Sequence, residues 1–209
     1  MDSLVKRINY LRNTEIGSII SERMEHFREK NDKETEEWFS EMCFCLLTAN
    51  STARLGISIQ NDIGFDGFFH MPQTELSGYL KDKGHRFWNK RSEFIGCARE
   101  HRDIKSTLSG MNDPAMMRDW LVQNVKGLGF KEASHFLRNT GHNDVAIIDR
   151  HVLDVMHGFG LIKEKPSSLT PKKYMEFENK LKVLADKVGM SLAELDLYLW
   201  YMKTGEVLK

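Results

Sequence analysis

The stretch Val125-Lys126-Gly127-Leu128-Gly129-Phe130-Lys131 constrains this chain more than any other. Apolar residues at helical spacing, Met117, Trp120, Leu121 and Val125, run into it, and a second helical pattern leaves it at about Lys131 and continues to Arg138. Two glycines separated by one apolar residue stand between them. Glycine is the residue that lets a backbone leave one helix and enter another within a few positions. The pattern predicts a helix-hairpin-helix over about residues 116–139. Its turn would leave the first amides of the second helix without intrahelical partners, which makes a seat for a phosphate oxygen.

The rest of the chain agrees with an all-α fold. Leu4, Val5, Ile8 and Leu11 share one helical face, and Ile16, Ile19, Ile20, Met24 and Phe27 repeat it. A third helix, with Asp32 as its expected cap, turns more apolar through Trp38, Phe39, Met42, Phe44, Leu46 and Leu47, the profile of a buried central helix. Another carries Leu55, Ile57 and Ile59. Asp62 to Met71 has no clean period and reads as a loop or short helical turns, and Glu75 to Leu80 as a short helix. Asp113-Pro114 opens the helix that enters the hairpin, Thr170-Pro171 opens another over Tyr174 to Val188, and Ser191 caps a last one with Leu192, Leu195, Leu199 and Met202 on one side. No strand-like alternation persists and no internal repeat is visible. With four prolines and no Gly/Ser-rich linker in 209 residues, the chain is expected to form one unit, as a single body or two packed lobes.

Composition removes several function classes. Three cysteines, Cys43, Cys45 and Cys97, suit neither a disulfide framework nor a four-cysteine iron–sulfur cluster, and read best as small buried apolar groups. No apolar run approaches the roughly eighteen residues of a membrane span, so a soluble intracellular protein is expected. Lysine plus arginine balance aspartate plus glutamate at 30 each, so any anionic partner must be met by local charge. The candidates are Lys81, Lys83, Arg86, Lys90 and Arg91, and separately Lys126, Lys131, Arg138 and Arg150; such runs are also ordinary solvated helix faces.

A second stretch, Val145-Ala146-Ile147-Ile148-Asp149-Arg150-His151, follows the hairpin closely and places Asp149 eighteen positions after Lys131. Taken together, Gly127-Leu128-Gly129-Phe130-Lys131 and Ile148-Asp149-Arg150-His151 resemble the helix-hairpin-helix DNA glycosylases. The wording from Trp120 to Leu153 is most similar to their archaeal-type 8-oxoguanine glycosylase/lyase branch. The absent cysteine cluster separates the chain from the endonuclease III group. Ala146-Ile147-Ile148 departs from the many relatives that carry a proline before the aspartate.

The resemblance implies two packed helical lobes with the hairpin at the cleft and a catalytic loop at about residues 141–151. It implies base-excision repair on double-stranded DNA carrying an oxidised guanine, with no cofactor and no metal, by a monomer in the cytoplasm at the nucleoid. Lys131 would be the nucleophile and Asp149 its electrostatic and acid/base partner. An amine nucleophile forms a Schiff base with the opened sugar, so strand nicking should accompany base removal. On its own, Lys131 reads better as a surface lysine or a phosphate contact than as a nucleophile.

For the remaining site the resemblance implies Asn50 as the wedge entering the vacated stack and Arg54 as reader of the orphaned partner base. Without it, Ala49-Asn50-Ser51-Thr52 is simply a capped helix junction. Gly127, Gly129 and Arg150 would hold the DNA backbone. Phe87, in the basic and aromatic run Lys83 to Arg91, would sandwich the extruded base with Trp200, and Lys209, the last residue, would contribute to recognition; Trp200 also suits plain core packing. The alternatives are a non-catalytic helix-hairpin-helix module that needs no Asp149, and a glycosylase for a different lesion.

Overall fold

The computed structural model describes all 209 residues, and every regular element in it is helical. The helices are α1 (Asp2–Arg12), α2 (Glu15–Asn31), α3 (Thr35–Thr48), α4 (Ala53–His70), α5 (Gln73–Asp82) and α6 (Trp88–Ala98), then α7 (Ile104–Ser109), α8 (Pro114–Asn124), α9 (Phe130–Asn139), α10 (Arg150–Gly158), α11 (Pro171–Val188) and α12 (Leu192–Thr204). Their buried side chains fall into two separate cores. One is built by α3 to α9 around α3, in which every residue from Met42 to Leu47 is fully buried. The other joins α1 and α2 to α10, α11 and α12. The chain therefore starts in one lobe, builds the other, and returns. Each leucine or phenylalanine buried in these cores contributes roughly 1.5–3 kcal/mol, so packing rather than helix propensity holds the elements in place.

The crossing point is the segment after α9. Val145 belongs to the α3-centred core, whereas Ala146 and Ile148 belong to the other, so the predicted catalytic loop bridges the lobes. The hairpin α8–α9 lies at this seam.

Helix starts follow the sequence where a side chain caps them. The Asp113 carboxylate accepts from the Ala115 amide at 2.9 Å with Pro114 in the first turn, and Ser191 Oγ accepts from the Glu194 amide at 3.1 Å. One expectation fails and one is narrowed. Asp32 closes α2 instead of opening α3; α3 follows Glu34 without a side-chain cap, and Glu36 and Glu37 in its first turn meet the positive end of the helix dipole. Of the two readings of Asp62 to Met71 the loop fails and the helical one holds, because α4 runs to His70 and breaks only at Gly64, whose φ of 49° and ψ of −155° redirect it. The redirection seats Phe65 and Phe69 edge-on to Phe39, at 5.7 and 5.5 Å between ring centroids.

Candidate active site

The two hairpin glycines do different work. Gly127 has φ 99°, and a Cβ there would lie 2.3 Å from the Phe94 ring, so both its conformation and its surroundings demand glycine. Gly129 is extended, at φ −96° and ψ −177°, and forms the uncapped start of α9. The first amides of α9 are left open at that end. From there Lys131, His135 and Arg138 follow at one-turn intervals on a single face, and all three line the same cavity. The Lys131 side chain is three-quarters buried, and its amine lies 3.7 Å from Glu132 Oε1.

Asp149 arrives from the opposite side. Its Oδ1 accepts hydrogen bonds from the amides of His151 and Val152, both at 2.8 Å, which caps α10 and fixes the carboxylate at a helix N-terminus. The loop before it is gripped by α11. The Tyr174 hydroxyl donates to the Ala146 carbonyl at 2.6 Å and accepts from the Ile148 amide at 3.2 Å. Glu178 accepts from the Ala146 amide at 2.8 Å while paired with Arg118 at 2.6 Å. These side-chain bonds hold the segment that leads into Asp149.

Lys131 and Asp149 share a cavity of about 720 Å³ at the seam between the lobes. Asn50 and Arg54 border it from the junction of α3 and α4, Asp196 and Trp200 from α12, and Leu208 and Lys209 from the chain end. Trp200 and His151 lie 5.3 Å apart between ring centroids. The cavity has an unusual floor. Both ring nitrogens of His135 and the Oδ1 of Asp196 are buried with no hydrogen-bond partner. Burial, then the Arg138, Lys131 and Lys209 cations, hold His135 well below the usual imidazole range, so its ring is neutral. The Lys209 backbone is close enough to pull the other way without a hydrogen bond of normal geometry. Burial pushes the Asp196 carboxyl up to about 6 against the opposing pull of Arg138, and the nearby Asp149 adds to the rise.

The sequence model for 8-oxoguanine DNA glycosylase matches residues 20–190. The chain belongs to the 8-oxoguanine DNA glycosylase family. It is 50% identical over 206 residues to the 8-oxoguanine DNA glycosylase/AP lyase of Methanocaldococcus jannaschii, covering 99% of each chain. Against the protein of the same name from Korarchaeum cryptofilum it is 46% identical over 211 residues, covering 100% of this chain and 99% of the relative. The crystal structure of the M. jannaschii glycosylase/lyase with a 15mer DNA containing 8-oxoguanine superposes with a TM-score of 0.97 at 48% identity, covering 99% of this chain and 100% of that one. The Thermotoga maritima 8-oxoguanine DNA glycosylase superposes with a TM-score of 0.93 at 42% identity, covering 100% and 99%.

In this member of the family the expected site residues divide into three groups. Lys131, Asp149, Asn50, Arg54, Arg150, Trp200 and Lys209 converge on the cavity. Gly127 and Gly129 do not line it and stand in the hairpin turn that leads to Lys131. Phe87, expected to face Trp200 across the base, does not line the cavity; its half-buried ring lies 5.1 Å from the guanidinium of Arg86, which does. Asn50 is the one non-glycine residue with positive φ, 57°, so the junction is a constrained tip rather than an ordinary capped turn. Thr52 supplies the cap of α4, accepting from the Leu55 amide at 3.3 Å.

The expected basic patches need correction. Arg138 is buried and donates to Asp196 and Asn139, and Arg91 is buried with its guanidinium 2.7 Å from the Ala49 carbonyl, so both hold structure together. Lys90 and Lys126 both pair with Glu93, and Lys83 pairs with Asp62. His135 and Asp196 were missed by the sequence reading, although positions one turn from Lys131 and from Trp200 could have flagged them. Tyr174 and Glu178 left no local signal.

Proposed function

We propose that this cleft binds double-stranded DNA, takes up an extruded 8-oxoguanine, removes it and then nicks the strand at the abasic site. The observation that carries the reading is Lys131 and Asp149 brought into one cavity beside the hairpin, in a chain that matches glycosylase/AP lyases over its whole length. A base cannot be attacked within a stacked duplex, so it must first be extruded, at roughly a few kcal/mol. The open amides of α9 and Arg150 hold backbone phosphates while Asn50 enters the gap and Arg54 meets the partner base. Trp200 stacks the base, and Lys209 closes the pocket.

Lys131, as the free amine, attacks C1′ of the sugar while the bond to the base breaks; the electron pair leaves with the base, which takes up a proton. Asp149 stabilises the positive charge that develops on the sugar. Ring opening gives an iminium between Lys131 and C1′, which acidifies C2′. Loss of a C2′ proton then expels the 3′ phosphate, and hydrolysis frees the lysine. No helix is long and apolar enough to cross a membrane, and the substrate would place the protein in the cytoplasm at the nucleoid.

The test is a duplex with one 8-oxoguanine, incubated with and without borohydride. Trapping of a covalent adduct by the native protein, and its loss in Lys131→Gln with DNA binding retained, is the expected result. Trapping at the native rate by Lys131→Gln would remove Lys131 from the mechanism.

A further inference from the structure

Glu41 is a fully buried carboxylate in the middle of the apolar helix α3, and the catalytic scheme does not use it. Its oxygens are crowded with donors. The Lys209 amine lies 2.9 Å from Oε2 and the Lys30 amine 3.1 Å from the same atom. The Gln60 amide donates to Oε2 at 3.2 Å and Asn139 to Oε1 at 2.7 Å. Burial alone would raise this carboxyl, but Lys209, Lys30 and the Asn139 amide bring it down to about 2.

One ammonium is enough to neutralise one carboxylate, and Lys30 supplies it from α2. The second comes from the last residue of the chain. After α12, Gly205 at φ 75° turns the backbone, and Glu206, Leu208 and Lys209 run back along the cavity. The Lys209 side chain then plunges inward, donating to Gln60 as well as Glu41, with its amine 4.3 Å from the centre of the Phe44 ring. Burial outweighs the pull of Glu41 and leaves the Lys209 amine below the ordinary lysine range. Buried ion pairs are weak sources of net stability, and the residues after α12 have no regular structure of their own to hold them. The contact is therefore better explained by where it holds the tail than by what it adds to folding.

The same carboxylate also reaches the other walls of the cavity. Asn139, which donates to Glu41, accepts from the Arg138 guanidinium at 2.9 and 3.0 Å, and Arg138 in turn pairs with Asp196. Resting on the glycosylase reading above, we propose that Glu41 is a positioning residue for base excision: it docks the terminal lysine so that the last residues form a fixed wall of the base pocket, in register with α9 and α12. Glu41 does not touch DNA. Its effect is confined to the step that needs a base in the pocket.

The experiment compares single-turnover excision of 8-oxoguanine with nicking of a pre-formed abasic site, in Glu41→Gln, Lys209→Met, their double variant and Lys30→Met. Glu41→Gln should slow excision about tenfold or more and leave abasic-site nicking within about twofold. Lys209→Met should slow excision to a similar extent, and the double variant should be no slower than the slower single one, because both changes break one contact. Lys30→Met, which removes the other ammonium, should excise within about twofold of the native rate. Additive losses, equal loss of excision and nicking, or equal effects of Lys30→Met and Lys209→Met would each overturn the proposal. Should Glu41→Gln fail to fold, the contrast between the two lysine variants decides. Hydrogen exchange at the backbone amides of residues 206–209 reads the docking without any DNA. It should be slow in the native protein and faster in Glu41→Gln, and equal rates would show that no dock exists. If the native protein does not excise 8-oxoguanine, the substrate reading fails while this arm still judges the dock.

Discussion

The hydroxyl of Tyr174 donates to the carbonyl of Ala146 at 2.6 Å, three residues ahead of Asp149. Through that bond and the one from the Ile148 amide, α11 fixes a loop that has no regular structure of its own. Tyr174→Phe keeps the ring, which packs 5.4 Å from Phe130, and leaves a buried carbonyl and a buried amide without this partner. The expected loss is about 1–3 kcal/mol in denaturant unfolding. Because a misplacement near 1 Å can lower a rate up to about 100-fold, excision should fall by more than the stability change explains at a temperature where the variant is folded. A variant that is destabilised yet excises at the native rate would show that the loop keeps its shape without α11.

Asp149 has a structural role and a proposed chemical one, and two substitutions separate them. Asparagine can still accept from the His151 and Val152 amides through its side-chain oxygen but carries no charge; alanine loses both. Asp149→Ala should cost about 1 kcal/mol more stability than Asp149→Asn, the worth of a helix cap. Both should lose excision alike, by about 100-fold or more, if the charge acts on the sugar cation. Single-turnover rates and thermal melts on the same preparations check this, and an active Asp149→Asn would reduce Asp149 to a cap.

Much of this site could be read before the fold was known, because its signals are local. The Gly127 turn, the helix pattern through Lys131 and the short distance to Asp149 all lie within one continuous stretch. What escaped the sequence consists of pairs far apart in the chain. Arg138 reads as a surface cation until Asp196, 58 residues later, is placed against it, and Glu41 has no visible partner until Lys209 returns from 168 residues away. Helical spacing identifies a face but not what the face meets. For the same reason nothing local separates Gly127 from Gly129, which the fold distinguishes by the positive φ of Gly127 and by the Phe94 ring packed against it.

His135 offers a case in which stability and activity should move in opposite directions. Neither ring nitrogen has a hydrogen bond, and the ring lies 5.5 Å from Phe44 in an edge-on contact that a phenylalanine can reproduce. An unpaired buried polar group costs about 1–3 kcal/mol, so His135→Phe should unfold at equal or higher denaturant concentration than the native protein. Since the ring forms the floor of the cavity one turn from Lys131, excision should nevertheless slow. A destabilised His135→Phe would mean that the ring has partners in solution, such as ordered water.

Asn50 allows the backbone and the side chain to be tested apart. Its φ of 57° is tolerated by asparagine, easier for glycine, and costs about 1–2 kcal/mol for an ordinary side chain. Asn50→Gly should therefore fold as stably as the native protein, whereas Asn50→Ala should lose about 1 kcal/mol. If the side chain fills the gap left by the extruded nucleotide, both variants should lose excision in duplex DNA by a similar factor, despite their different stabilities. Only a duplex has a stack to fill, so nicking of an abasic site in single-stranded DNA should be unchanged in both. Loss in the alanine variant alone would assign the defect to backbone strain at the junction. Equal loss on single strands would mean that Asn50 contacts the sugar–phosphate chain instead of entering the stack, and Arg54, now paired with Glu206 of the tail, would be the next candidate for the wedge.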